Sequence, residues 1–258
     1  MSLFSSTAAE ILKTKRTASF WLSIAAAGFI PGIFFFAFVT GQERAIKTLG
    51  NEPWGTYFFY GWQSLSSFLF PMYVILICTL IPQIEFKNNA WKQVYATPQS
   101  LGEIYFSKFI TIHLMIFLFY VLFNLFTILS GILLNVINSK FLFLDTSIEW
   151  KGLAKLSIKT YISILGISAI QYVLSLRFKN FVTPVGIGLA LLVGSLIASN
   201  FGWEHIYKMP FAHPGLTLKS MMMKNRPFIE NHEWNSVLLF AGFLVLGYLD
   251  LVNRKEKG

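Results

Sequence analysis

Long apolar runs separated by short polar stretches dominate the hydrophobic pattern of the chain. Six runs stand out, each near the ~20 residues with which a helix crosses a bilayer and each with at most one charged residue. They cover residues 19–40, 60–82, 110–134, 160–176, 182–199 and 236–251. Backbone groups in hydrocarbon must be satisfied within their own segment, and these runs lack the alternation of barrel strands. The pattern therefore predicts an all-α membrane protein, with one transmembrane domain over residues 1–258 and six transmembrane helices.

The composition indicates lipid rather than water as the main solvent. Only 13% of the residues are charged, about half the share of a typical soluble domain. The net charge of +9 comes from basic residues that lie between the apolar runs and form no continuous stripe. Lipid headgroups and membrane topology account for that distribution, and we expect no nucleic-acid partner. The single cysteine, Cys78, lies inside an apolar run and builds neither an internal disulfide nor a metal site.

Six spans place both termini on the same side of the membrane. A basic cluster, Lys13, Lys15 and Arg16, precedes the first run, which has no small-residue cleavage site and is expected to be retained as a span. The short basic turn 177–179 and the basic tail 254–257 favour a cytoplasmic location for both termini.

Residues 1–18 have the pattern of an amphipathic helix. Its apolar positions share one face at helical spacing: Phe4, Ala8, Ile11 and Leu12. Thr7 and Glu10 have the spacing of a capping box. Such a helix lies in the headgroup layer with its basic end near anionic lipid. The alternative is a frayed, disordered terminus.

The polar segment 84–101, between the second and third runs, contains a short aromatic pattern. Trp91, Val94 and Tyr95 follow helical spacing, and Pro98 ends the predicted helix. A cytoplasmic helix with an aromatic face suits contact with another protein. An interfacial helix that uses Trp91 and Tyr95 as a membrane belt fits the pattern equally well.

The segment 200–235, predicted on the outer side, is too apolar for a solvated loop and too rich in proline to span. Short helices that dip into the outer leaflet are expected there. His205 and His213 lie eight residues apart, unlike a close ligand pair, so we predict no metal site and interpret them as interfacial histidines with hydrogen-bond partners.

The spans lack the residues that most membrane machines use. No Asp, Glu, Lys or Arg lies in the middle of a run, and His113 and Asp250 are expected near the ends. This argues against a proton-driven carrier, although sodium coupling through backbone and hydroxyl groups stays open. The sequence contains no phosphate-binding loop, H-E-x-x-H or G-x-S-x-G pattern. We therefore predict no catalytic residue, no enzyme activity and no cofactor bound by this chain.

One local motif, together with the order of the spans, resembles that of a known protein family. An acidic residue, a Trp-Lys pair, a proline and a lysine that opens the third span occur as Glu85, Trp91-Lys92, Pro98 and Lys108. The chain resembles permease subunits of type-2 ABC transporters, especially the lantibiotic-immunity and bacitracin-export branch. The run 88–90, Asn-Asn-Ala, departs from the small residue and threonine that often precede the tryptophan in that branch.

The resemblance implies a partner and a place for it. Residues 84–101 would be the coupling helix seated on a separate ABC ATPase subunit, which binds ATP and magnesium, and a second permease chain, the same or different, would complete the transporter. The coupling residues would be Glu85, Trp91, Lys92, Tyr95, Pro98 and Lys108, and the N-terminal helix would touch the ATPase around Glu10, Lys13 and Arg16. The location would be the inner (plasma) membrane of a bacterium. The uncharged spans suggest export of an amphiphilic or apolar cargo, such as a peptide antibiotic or a lipid-like molecule.

Three other classes compete with this interpretation. A stand-alone carrier or channel would move solute in liposomes without ATP or a partner. A membrane scaffold or sensor would use residues 84–101 to bind a regulatory protein without transport. A membrane enzyme is the least favoured, because the catalytic patterns are missing.

Overall fold

The computed structural model describes residues 2–15, 17–88, 91, 94, 98–223 and 227–255. Over these residues the chain is helical and contains no strand, which confirms the predicted all-α class. The helices are α1 (Leu3–Thr14), α2 (Ala18–Thr40), α3 (Gln42–Leu49), α4 (Pro53–Ser64), α5 (Phe70–Lys87), α6 (Leu101–Ile137), α7 (Trp150–Arg177), α8 (Val182–Asn200), α9 (His213–Met221) and α10 (Asn231–Lys255). A π turn, Leu65–Leu69, joins α4 to α5. Three 3-10 turns occur at Ser139–Phe141, Ile206–Lys208 and Pro210–Ala212.

Six helical units in the described part of the chain are long and apolar enough to cross a membrane, as predicted. They are α2, the continuous α4–α5 unit, α6, α7, α8 and α10. The protein is therefore a multi-pass membrane protein.

Two spans begin furthest ahead of their apolar runs. α6 begins at Leu101 instead of residue 110, and α7 begins at Trp150 instead of residue 160. A hydropathy pattern ends at charged residues such as Lys108 and Lys159, but a helix continues through them when they find partners. At 1.5 Å per residue, the 37 residues of α6 extend about 55 Å, more than the ~30 Å hydrocarbon core. The first turns of α6 therefore project beyond the apolar layer.

The π turn between α4 and α5 has a local cause. Pro71 has no backbone N–H to give to the preceding turn, and the helix widens there so that Phe70 N donates to the carbonyl of Leu65. The bulge keeps α4 and α5 as one continuous unit of 35 residues.

Aromatic side chains fill the core between α4, α5 and α6. The Phe119 ring stacks on Tyr73 at 4.5 Å and on Phe70 at 5.3 Å between ring centroids. The outer face of α6 instead exposes a stripe of large apolar residues at every fourth position: Phe117, Val121, Leu125, Leu129 and Leu133. Such a stripe is costly in water and is solvated by lipid.

Helix α1 turns its polar face towards the protein. Its buried residues are Ser6, Thr7, Glu10 and Thr14, whereas Phe4 is 85% exposed. The predicted capping box at Thr7 and Glu10 is wrong, because the helix already begins at Leu3 and Ser2 Oγ accepts a hydrogen bond from Ser5 N. The amphipathic pattern thus leaves an apolar face for lipid and a polar face for the bundle.

The segment 200–235 packs onto α7, α8 and α10 through its 3-10 turns and α9. His213 is buried, and its Nε2 donates to the carbonyl of Tyr207 at 2.9 Å. Burial and nearby His232 lower the pKa of His213 to about 3, against the opposing effect of the Tyr207 carbonyl. His213 is therefore neutral at pH 7 and holds the turn that precedes α9.

Candidate coupling site

Three helix segments meet at one end of the bundle, here named the α1 end: α1 itself, the end of α5 and the start of α6. Glu85 lies two residues before the end of α5, and Lys108 lies in the third turn of α6. A capping box fixes where α6 begins, because Ser100 Oγ accepts from Glu103 N and Glu103 Oε2 accepts from Ser100 N. Pro98 lies at a bend two residues before this cap. These local signals fix where Lys108 lies along α6.

Four charged side chains join these segments into one ion cluster. Lys108 Nζ donates to Glu10 Oε2 at 2.8 Å and also to Glu85 Oε1. Lys13 Nζ donates to Glu10 Oε1 at 2.6 Å and to Glu85 Oε1 at 3.1 Å. The two ammonium groups balance the two carboxylates, so the cluster is neutral as a unit. It links residues that are 72 and 98 positions apart in the chain.

The cluster is largely closed to solvent. Lys108 is fully buried, Glu85 and Glu10 are buried, and the Lys13 side chain remains 39% exposed. Burial alone would raise the pKa of Glu10, but the charges and hydrogen bonds of Lys108 and Lys13 outweigh it and hold that pKa below its usual value. Burial likewise opposes the charge on Lys13, yet Glu10 and Glu85 raise the pKa of its ammonium. Glu10 and Lys13 therefore each favour the charged form because of their partners in the cluster.

Trp91 packs against the cluster. Lys108 Nζ lies 5.6 Å from the centroid of the Trp91 ring. The centroids of the Phe86 and Trp91 rings are 5.1 Å apart. Trp91 has helical backbone and is half-buried against the core, and so is not a projecting aromatic side chain. The ring covers the buried ammonium because aromatic faces attract cations.

The structure thus brings together five of the predicted site residues: Glu10, Lys13, Glu85, Trp91 and Lys108. Pro98 marks the bend before α6 and belongs to the backbone rather than to the cluster. The other three, Arg16, Lys92 and Tyr95, lie outside the described residues. The sequence placed Glu10 and Lys13 on the N-terminal helix, and Glu85, Trp91 and Lys108 on the segment 84–101 and the start of the third span. Only the structure shows that Lys108 brings these two sets into direct contact.

A second buried ion pair was not predicted. Lys159 Nζ on α7 donates to Glu233 Oε2 at 3.0 Å and to the carbonyl of Phe228 at 2.6 Å. Glu233 also accepts from Thr217 Oγ1 and from Glu230 N. In the sequence, Lys159 directly precedes the fourth apolar run and Glu233 lies three residues before the sixth, but the pairing needs the tertiary structure. This pair fastens the segment that follows α9 to α7.

His113 contacts α7. Because α6 begins at Leu101 and its first turns project beyond the apolar layer, His113 lies about 18 Å along the helix from its first residue. Its Nδ1 is 2.7 Å from the Tyr161 hydroxyl and its Nε2 is 3.3 Å from Ser168 Oγ. Both ring nitrogens therefore contact hydroxyl groups of α7.

The charged groups at the α1 end form ion pairs that hold helices together. In the described part of the chain, no three His, Cys, Asp or Glu side chains are grouped so as to hold a metal ion. The cluster presents no nucleophile beside a base, but it ties α1, α5 and α6 together next to residues 84–101.

Comparison with protein families gives one match that bears on this arrangement. A family model described as ABC-2 family transporter protein matches residues 7–195, well over half of the 258 residues. The matched region contains the whole ion cluster and runs from α1 into α8. Comparison with curated proteins and with solved structures gives no match.

Proposed function

The chain belongs to the ABC-2 family of transporter proteins, and we propose from this premise that it is the permease subunit of an ATP-driven exporter. The family match and the six apolar helices support a membrane permease of an ABC transporter. Members of the family associate in general with an ABC ATPase. The specific proposal is that residues 84–101 are the coupling segment through which such an ATPase moves this chain.

The observation that carries the proposal is the ion cluster beside that segment. Residues 84–101 include Glu85, and Lys108 joins Glu85 to Glu10 on α1, so a force on this segment acts on all three helices. Removing one partner of a buried ion pair costs about 3–5 kcal/mol, so the three segments resist separation. They would therefore move as one rigid lever when the ATPase closes on ATP.

The remaining parts follow from the same assignment. Both termini and residues 84–101 face the cytoplasm of a bacterial cell, and ATP and magnesium bind to the ATPase. A second permease chain, identical or related, completes the path. Glu85, Trp91-Lys92, Pro98 and Lys108 support the lantibiotic-immunity and bacitracin-export branch. Apolar and aromatic span surfaces support an amphiphilic or apolar cargo, such as a peptide antibiotic or a lipid-like molecule.

The test is co-purification of this chain with an ABC ATPase from native membranes. Lys92→Glu reverses a charge within the coupling segment, and Lys140→Glu makes the same change at the opposite end of the bundle. Because unfavourable charges at an interface cost several kcal/mol, we expect Lys92→Glu to lower ATPase recovery by about tenfold or more. Lys140→Glu should retain wild-type recovery, and both variants should elute from gel filtration as the wild type does.

Two outcomes contradict the proposal. If Lys92→Glu recovers and stimulates the ATPase as well as the wild type does, residues 84–101 do not lie at the interface. Solute flux through purified chain in liposomes, with no ATPase present, would instead establish a stand-alone carrier or channel.

A further inference from the structure

A cavity of about 690 Å³ lies at the α1 end, where the start of α2, the end of α5 and the turn between α7 and α8 meet. Four helix termini border it: α2 begins at Ala18, α5 ends at Lys87, α7 ends at Arg177 and α8 begins at Val182. Since α2 and α8, with 23 and 19 residues, are close to the length that crosses a bilayer, their starts mark the level of the lipid headgroups. The cavity therefore lies at the depth of a headgroup.

The polar part of the cavity is cationic. Lys87 and Lys179 line it, and none of the described Asp or Glu residues does. Within the residues that the structure describes, neither lysine forms an ion pair, in contrast to Lys13 and Lys108 of the ion cluster. The hydroxyls of Thr17 and Ser19 also line the cavity and bond to each other at 2.6 Å. Two cations with no acidic neighbour in the lining suit a negatively charged group.

The other part of the cavity is apolar. Leu80 and Ile84 of α5 line it together with Phe86 and Phe181. Val182, the first residue of α8, is 76% exposed and extends this apolar surface to the outside of the bundle. An inorganic anion gains nothing from these side chains, whereas an acyl chain does, at about 0.8 kcal/mol per buried CH₂.

We propose that this cavity binds an anionic phospholipid, with the headgroup phosphate between Lys87 and Lys179 and an acyl chain along Leu80, Ile84 and Phe181. The starts of α2 and α8 add the positive ends of two helix dipoles. Because Phe86 and Lys87 directly follow Glu85, the lipid contacts the same turn of α5 that enters the ion cluster. The inference requires a membrane-inserted chain and is independent of the proposed transport function.

Native mass spectrometry of the detergent-purified chain with added phosphatidylglycerol or phosphatidylcholine tests the site. The double variant K87Q/K179Q removes both cations, and K47Q/K140Q removes two exposed lysines at the opposite end of the bundle. Each lysine near an anionic lipid contributes about fivefold, so K87Q/K179Q should bind phosphatidylglycerol about 30-fold more weakly. K47Q/K140Q should bind as the wild type does, and K87R/K179R should restore binding, which separates lost charge from misfolding.

Three results overturn the assignment. One is equal phosphatidylglycerol binding by K87Q/K179Q and K47Q/K140Q. Another is phosphatidylcholine binding as strong as phosphatidylglycerol binding, which would leave no role for the charge. The third is displacement of phosphatidylglycerol by an equal concentration of inorganic phosphate, which would identify a site for free phosphate.

Discussion

Replacing Lys108 with methionine removes the buried cation between Glu10 and Glu85 but keeps a long side chain in its place. In the wild type, Lys108 Nζ lies 2.8 Å from Glu10 Oε2 and also contacts Glu85 Oε1. Lys13 alone would then face both carboxylates, at 2.6 Å and 3.1 Å. One carboxylate is therefore left in a buried site without a counter-ion.

The free-energy cost of the unpaired carboxylate determines how much stability is lost. The carboxylate either stays buried as an anion or takes up a proton, and the state of lower free energy determines the loss of unfolding free energy. With an ordinary pKa of 4.5, protonation at pH 7 costs about 3.4 kcal/mol, at about 1.4 kcal/mol per pH unit. Removal of one partner of a buried pair has a similar cost, about 3–5 kcal/mol. We expect Lys108→Met to lower the free energy of unfolding by about 3 kcal/mol at pH 7.

The pH dependence of this loss identifies its cause. In the wild type, burial opposes the charge on Glu10 but the two lysines lower its pKa below 4.5, so its stabilising effect is fully present above pH 4.5 and is lost as the pH falls through the lower folded value. In Lys108→Met, the unpaired carboxyl has a folded pKa above the unfolded one, and stability is regained as the pH falls. At pH 5 protonation costs less than about 1 kcal/mol, so the deficit should shrink to that value.

Equilibrium unfolding in mixed micelles, followed by circular dichroism at pH 7 and pH 5, measures both quantities. Lys47→Met, at an exposed position away from the ion cluster, is the matched control and should change the free energy by no more than about 0.5 kcal/mol. Adding Glu85→Gln to Lys108→Met should recover part of the loss, because it removes the unpaired charge. The reasoning is refuted if Lys108→Met equals Lys47→Met at pH 7, or if its deficit is the same at pH 5.

Two further substitutions test packing elsewhere in the bundle. Gly188→Ala places a Cβ 2.6 Å from Gln171 Oε1, and two hydrogen bonds hold that side chain in place, so the substitution should cost about 1–3 kcal/mol in the same unfolding assay. The control Gly186→Ala has open space at its Cβ and should cost less than about 0.5 kcal/mol. Equal losses would contradict the packing argument. Glu233→Gln leaves the ammonium of Lys159 buried without its carboxylate and should cost about 3 kcal/mol at pH 7, whereas a wild-type midpoint would mean that the pair contributes nothing.

The sequence predicted the class of the fold and the number of spans because lipid imposes them locally. A segment in hydrocarbon must satisfy its own backbone, so runs such as 19–40 and 182–199 are helices whatever surrounds them, and α2 and α8 match them within one residue at each end. The predicted bounds failed at α6 and α7, where Lys108 and Lys159 interrupt the apolar pattern but not the helix. The carboxylates that neutralise these lysines lie far away in the chain, so the local hydropathy pattern cannot show that the charges are paired.

The candidate site shows the same division. Glu85, Trp91 and Lys108 came from the motif of the resembling family, and Glu10 and Lys13 from the ATPase contact that the resemblance implies for the N-terminal helix. The sequence by itself therefore placed these residues on their elements, and their role in coupling stays a prediction. Only the tertiary structure decided that α1 turns its polar face inward, because Glu10 meets Lys108 98 positions away. A buried charge is stable only beside its counter-charge, and folding of the whole bundle creates that proximity.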